Sequence, residues 1–101
     1  MRIKSGAKVN GMRTEILLAI NIADKIWSHH NQELVITEVT GAKHGNGSLH
    51  YIGCAFDGHT RYFTDQEKEL VAKDLRDALV NQYDVIVEKT HIHVEYQPKT
   101  D

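Results

Sequence analysis

Residues 48–57 read SLHYIGCAFD, and the rest of the chain is organised around this stretch. His50 and Asp57 lie seven positions apart within it, and both are residue types that bind metal ions. A second polar group near the C-terminus consists of Glu88, His91 and His93. We expect the two groups to meet around one zinc ion, since zinc favours imidazole nitrogen and carboxylate oxygen as ligands.

The chain has 101 residues, a hydrophobic fraction of 41% and a net charge of −2. This length predicts a single domain over residues 1–101. The balanced charge gives no sign of a nucleic-acid or membrane partner. The single cysteine, Cys54, excludes an internal disulfide. No secretory signal or membrane-spanning run is visible, which favours a soluble protein made in the cytoplasm.

Two segments carry apolar residues at helical spacing. The first predicts a helix from Thr14 to His29, with Thr14 as its N-cap. The second predicts a helix over Asp65–Val80, opened by a capping box between Thr64 and Glu67. Residues 1–12 are expected to form an irregular or extended arm.

Three segments predict strands. Glu33–Val39 is rich in β-branched and apolar residues, and Tyr51–Asp57 predicts a second strand after the Gly-rich loop 40–47. Tyr83–Tyr96 predicts a hairpin that turns at Lys89-Thr90. Because directly paired residues share a face, a two-residue turn places Glu88 opposite His91. One face of the hairpin then carries Val85, Val87, Ile92 and Val94, and the other carries Ile86, Glu88, His91 and His93.

These elements predict an α+β domain with a small, mostly antiparallel sheet. Two helices would cover one face of the sheet, and a zinc cleft would occupy the other. Strict alternation along a strand separates residues an odd number apart, so His50 and Asp57 would face opposite sides. The interpretation therefore requires His50 to lie in the preceding loop, or Gly53 to mark a bulge.

The expected chemistry is hydrolysis. His50, Asp57 and one hairpin histidine would leave one position open on a tetrahedral zinc ion, as in catalytic sites. Glu88 is the candidate general base. The remaining hairpin histidine, or His44 on the Gly-rich loop, would act from outside the ligand set. Two further residues are candidates for substrate binding or ligand orientation: Lys43 and Ser48.

The same residues resemble a known family. SLHYIGCAFD is similar to the SxHxxGxAxD pattern of the D-alanyl-D-alanine carboxypeptidase family of zinc peptidases, and the later HIH, His91 to His93, is similar to its HxH motif. The wider group includes lysostaphin-type peptidases and the hedgehog signalling domain. In size the chain most resembles small phage and prophage wall peptidases of this group, and the likeness covers residues 33–96.

The resemblance implies a zinc ion held by His50, Asp57 and His93, with Glu88 as the base and His91 as an essential neighbour. In relatives whose second motif is ExxH, the histidine three positions after the acidic residue binds the metal. Glu88 and His91 have this spacing, so His91 is the alternative third ligand. Many carboxypeptidases of this family carry an arginine near the position of Lys43, and that arginine binds the carboxylate of the substrate. Because this chain has a lysine there, the resemblance does not imply strict carboxypeptidase activity. The implied activity is hydrolysis of a peptide bond in the stem peptides of peptidoglycan. The alternatives are a zinc-stabilised binding module without turnover and a phage structural component.

Overall fold

The computed structural model describes residues 1–7, 9, 11–39 and 54–97. Within them the chain forms an α+β domain with a five-stranded, mostly antiparallel sheet and two helices. This confirms the predicted fold class at that level. The elements in chain order are β1 (Arg2–Ile3), α1 (Thr14–His29), β2 (Val35–Glu38), β3 (Ala55–His59), α2 (Asp65–Leu79), a short 3-10 helix (Val80–Gln82), β4 (Tyr83–Val87) and β5 (His91–Tyr96).

The strand order is β1-β2-β3-β5-β4, and β1 pairs with β2 in parallel while the other neighbours are antiparallel. The predicted N-terminal arm thus contributes a strand to the sheet. Its backbone donates hydrogen bonds of 2.8 Å from Arg2 N to Leu34 O and from Lys4 N to Ile36 O. β3 and β5, which carry Asp57 and the hairpin histidines, lie in the interior of the sheet.

Helix α1 has the predicted bounds, but Thr14 is not its N-cap. The cap is Arg13, which makes no side-chain capping bond. Helix α2 has the predicted capping box: Thr64 Oγ1 accepts from the Glu67 backbone N–H at 3.1 Å, and the Glu67 carboxylate accepts from Thr64 N at 2.8 Å. The helix ends at Leu79 because Val80 has a φ of 55°, outside the right-handed helical region.

The core lies between the two helices and one face of the sheet. Its fully buried members include Trp27 of α1, Leu75 of α2 and Phe56 of β3. Gly58 leaves no room for a side chain, because a Cβ there would lie 2.7 Å from Leu34 Cδ1 and 3.3 Å from a Trp27 ring carbon. Along α2, Val71, Ala72, Leu75 and Leu79 are buried, whereas Leu70 is 48% exposed.

The hairpin has the predicted register, with Val85 opposite Val94, Ile86 opposite His93 and Val87 opposite Ile92. The Glu88 backbone N–H also donates to His91 O at 2.9 Å, as a two-residue turn requires. Val85, Ile92 and Val94 are buried, whereas Ile86 is 41% exposed. The two faces of the hairpin therefore differ as predicted.

Strands β2 and β3 differ from their predicted bounds. β3 runs to His59, two residues beyond the predicted end at Asp57, and residues 51–53 of its predicted start lie outside the described residues. In β2, Ile36 pairs with Gly58 but Glu38 pairs with Asp57, so the register shifts between them. Because paired residues share a face, this irregularity turns Glu38 to the same side as Asp57.

Candidate functional site

A row of polar side chains crosses β3 and β5 on the face opposite the helices. Asp57 pairs with His93, and His59 pairs with His91. Their sequence neighbours, such as Phe56 and Ile92, are buried in the core. Since successive strand residues point to opposite faces, the histidines and Asp57 project from the far side of the sheet. The sheet thus brings together parts of both motifs, on the face where the zinc cleft was predicted.

Asp57 is the centre of this row. It is 4% exposed, although it carries a carboxylate. Its Oδ1 lies 2.9 Å from His93 Nδ1, and its Oδ2 lies 3.7 Å from His91 Nε2. The other ring nitrogen of His91, Nδ1, lies 3.1 Å from Thr90 Oγ1. Burial of a carboxylate is costly without charged or hydrogen-bonding neighbours, and these two imidazoles supply them.

Glu95 completes the row and was not identified from the sequence. Its Oε1 lies 2.7 Å from His93 Nε2, so both ring nitrogens of His93 face carboxylates. Burial lowers the pKa of His93, but the hydrogen bonds to Asp57 and Glu95 outweigh it, and the net pKa is raised. The signal was present in the sequence: Glu95 follows His93 by two positions on one strand, and such residues share a face.

A metal ion held by this arrangement would need a further ligand from another part of the chain. Among the described residues, no group of three or more His, Cys, Asp or Glu side chains is placed to hold a metal ion. Two ligand atoms about 2.1 Å from a tetrahedral ion lie about 3.4 Å apart. The distances from Asp57 to His93, 2.9 Å, and to His91, 3.7 Å, lie on either side of this value. Asp57 could thus form a ligand pair with one of these histidines, and a metal ion held by that pair would need a third ligand from elsewhere in the chain.

The other predicted site residues divide into two groups. Glu88 lies at the end of β4 and is exposed, on the face of the hairpin that carries His91. Four predicted residues lie outside the described part of the chain: Lys43, His44, Ser48 and His50. The proposed bulge at Gly53 also lies outside it. The predicted partnership between His50 and Asp57 therefore stays a prediction.

A cleft of about 450 Å³ adjoins the polar row at His91. Its wall includes His59 at the end of β3 and Arg61 in the following turn. Burial lowers the pKa of His59, and the positive charges of Arg61 and Arg2 lower it further. The sequence did not reveal this cleft, because its described walls come from the residue after β1, from β2, from the end of β3 and the turn after it, from α2, and from the hairpin turn with the start of β5.

No helix within the described residues is long and apolar enough to cross a membrane. Comparison of the chain with protein-family models, with curated proteins and with solved structures finds no match. The assignment of a function therefore depends on the two motifs and on the geometry of the residues that carry them.

Proposed function

We propose that the protein is a zinc-dependent peptidase that hydrolyses a peptide bond in the stem peptides of peptidoglycan, as a D-Ala-D-Ala carboxypeptidase or an endopeptidase. The proposal begins from the similarity of residues 48–57 and of the later HIH to the motifs of the D-alanyl-D-alanine carboxypeptidase family. That similarity also supports the finer description of the fold as hedgehog-like, with a zinc cleft on the open face of the sheet.

One observation carries the proposal. Asp57 ends the first motif and His93 ends the second, and these residues, 36 positions apart, lie opposite each other with 2.9 Å between Oδ1 and Nδ1. Oppositely charged pairs across strands are common in sheets, but here the Asp57 carboxylate is only 4% exposed, and the burial of charge is costly. A shared cation gives this buried pairing a function.

His50, Asp57 and His93 would hold the zinc ion, and His91 is the alternative to His93. Bound zinc supplies a Lewis acid that polarises a carbonyl group and increases the acidity of water. Glu95 would accept a hydrogen bond from His93 Nε2, which fixes the ring and leaves Nδ1 facing Asp57. Carboxylate partners of this kind are common behind histidine ligands.

The chain's other polar residues would move protons and bind substrate. The exposed carboxylate of Glu88 would accept a proton from the attacking water and deliver it to the leaving amine. His91 would donate a hydrogen bond to the developing oxyanion, and His44 is a second candidate for this role. Lys43 would attract a substrate carboxylate, and Ser48 would orient a ligand. A phage lysin that reaches the wall through a membrane pore is one setting for this activity.

The test is to incubate the purified, zinc-loaded protein with purified peptidoglycan and to identify the fragments by mass spectrometry. Zinc content is measured on the same sample. One zinc ion per chain together with new peptide ends supports the proposal, and the fragment masses identify the bond. Bound zinc without new ends supports the alternative, a zinc-stabilised binding module. A purified protein that folds without zinc and does not take it up contradicts both.

A further inference from the structure

The cleft beside His91 is strongly basic. Its volume is about 450 Å³, and it lies between the end of β3, the N-terminal half of α2, the hairpin turn and the residue after β1. The residues that matter here are Lys4, Thr60, Arg61, Lys68, Lys89 and His91. None of the described residues that line the cleft is acidic. Four cationic side chains therefore surround a space large enough for part of a ligand.

Most of this charge has no acidic partner among the residues that the structure describes. Lys68 Nζ lies 3.2 Å from Asp65 Oδ1, and it also donates to the backbone oxygen of Lys89 at 3.3 Å. Within the described part of the chain, Lys4, Arg61 and Lys89 take part in no ion pair. The whole chain carries a net charge of −2, so this concentration of positive charge is local. A cleft lined by one sign of charge attracts ligands of the opposite sign.

Thr60 gives the cleft a polar group that lacks a partner. The residue is 4% exposed, and its Oγ1 has no hydrogen-bond partner among the described residues. Its backbone N–H is satisfied by Thr90 O at 3.1 Å, so only the hydroxyl remains. A buried hydroxyl without a partner costs about 1–3 kcal/mol. Thr60 lines the cleft, and a small side-chain rotation that turned its hydroxyl toward an acceptor oxygen bound there would remove the cost.

We propose that the cleft binds a carboxylate group of the peptide substrate. Arg61 and Lys89 would make charge-assisted hydrogen bonds to it, with Thr60 as a further donor. His91 belongs both to the cleft and to the polar row around Asp57, so a carboxylate held here lies next to the proposed reaction centre. This inference rests on the proposed peptidase function, and it specifies that the peptide substrate carries a negatively charged carboxylate at the position bound by the cleft.

The test compares three synthetic stem pentapeptides: one with free carboxylates, one amidated at the glutamyl carboxyl and one amidated at the C-terminus. Dissociation constants are measured by calorimetry in Glu88→Gln protein, which suppresses turnover. We expect one of the two amidations to weaken binding about tenfold. The preference should decline when the ionic strength is raised from about 0.05 to about 0.5 M.

The double substitution Arg61→Gln/Lys89→Gln should abolish the difference between the free and the amidated peptide. Lys25→Gln, which removes one positive charge from the exposed face of α1, should leave it unchanged. Thr60→Val is a second probe that preserves the shape of the side chain, and it should weaken binding of the free peptide without lowering the unfolding temperature. A preference that persists in the double variant overturns the inference.

The source of the anion and the proposed activity are separated by two further measurements. Inorganic phosphate should compete weakly, and phosphate that binds more tightly than the free peptide overturns the assignment to a carboxylate. Hydrolysis is measured separately in protein that retains Glu88. If the protein binds the free peptide more tightly than an amidated one but hydrolyses neither, only the peptidase function is refuted. If it hydrolyses all three peptides and binds them with equal affinity, only the carboxylate site is refuted.

Discussion

Asp57 and His93 face each other across β3 and β5, with 2.9 Å between Oδ1 of the carboxylate and Nδ1 of the imidazole. On the opposite side of the ring, Nε2 lies 2.7 Å from Glu95 Oε1. A neutral imidazole has only one N–H to donate, so only one of the two carboxylates can accept a hydrogen bond from it. The contact with the other carboxylate requires a second proton, or a metal ion in the place of that proton. The raised pKa of His93 is consistent with this requirement.

Glu95 should contribute to zinc affinity without binding zinc itself. We expect Glu95→Gln to weaken zinc binding about 10- to 100-fold, because His93 loses the carboxylate that orients its ring. Competition with a chromophoric chelator measures the affinity. Glu69→Gln, on the exposed surface of α2, is the matched control and should leave it unchanged. Equal affinities in the two variants would exclude the proposed role of Glu95.

Glu88 should be required for hydrolysis but not for zinc binding. Glu88→Gln removes the proposed proton acceptor and keeps the size of the side chain. We expect zinc content to stay at the wild-type level while cleavage of purified peptidoglycan falls about 10²- to 10⁴-fold. Fragment release measured by mass spectrometry checks this. Activity near that of the wild type would remove Glu88 from the mechanism.

The capping box of α2 should contribute measurably to stability. Thr64→Ala removes the acceptor for the Glu67 N–H, and we expect the free energy of unfolding to fall by about 1 kcal/mol. Thr14→Ala is the control at the start of α1, where no side-chain cap is present, and should change it by less than about 0.5 kcal/mol. Urea titration measures both. Equal losses would show that the cap bond does not account for the effect.

Gly58 should be intolerant of a side chain because Leu34 occupies the space. Gly58→Ala places a Cβ 2.7 Å from Leu34 Cδ1, and we expect a loss of about 1–3 kcal/mol from overpacking. Leu34→Ala alone should cost about 2–5 kcal/mol. The double variant should be more stable than the sum of the single losses predicts, since the added methyl partly fills the space. Strict additivity in urea titrations would contradict the contact.

Tyr83 should make stability depend on pH in the alkaline range. Partial burial raises the pKa of its phenol above the ordinary value of 10.0, with smaller contributions from Tyr96 and Glu15. Between these two pKa values the folded state retains a proton that the unfolded state has lost, so the contribution of Tyr83 is complete below pH 10 and declines as pH rises through the folded pKa.

Tyr83→Phe lacks this titration and also the hydrogen bond from the hydroxyl to Glu15 O at 2.9 Å. We expect the variant to be less stable than the wild type at pH 7 by about 1 kcal/mol, and the difference to shrink above pH 10. Urea midpoints between pH 7 and 11 test this, with Tyr62→Phe, at a 65% exposed position, as the control. A constant difference over that range would contradict it.

Local patterns in the sequence were sufficient for much of the fold. The two-residue turn at Lys89-Thr90 predicted the pairing of Val85 with Val94, and helical spacing predicted the bounds of α1. The N-cap at Thr14 was wrong because cap preference alone does not establish whether a side chain folds back onto the helix. Val80 departs from α2 at a positive φ, which β-branched residues disfavour, so no local rule would place the helix end before it.

The site was predictable only where its residues are close in sequence or in a motif. His91 and His93 share a face by alternation, and Asp57 was placed near them by the order of the two motifs. The irregularity that turns Glu38 to the side of Asp57 depends on pairing between β2 and β3, which strand propensity does not determine. The basic cleft is lined by five separate segments, and only tertiary structure brings Lys4 near Arg61 and Lys89.

The polar row stands on interior strands, whereas Thr60, Arg61 and Lys89 lie in turns at their ends. Backbone hydrogen bonds to both neighbouring strands hold the residues of the polar row in place. Turns tolerate substitution far better than interior strands do. Randomising positions 60, 61 and 89 in a combinatorial library should therefore redirect which molecules are recognised while Asp57 and His93 keep their mutual geometry. Recognition and chemistry are in this way separately evolvable on one small scaffold.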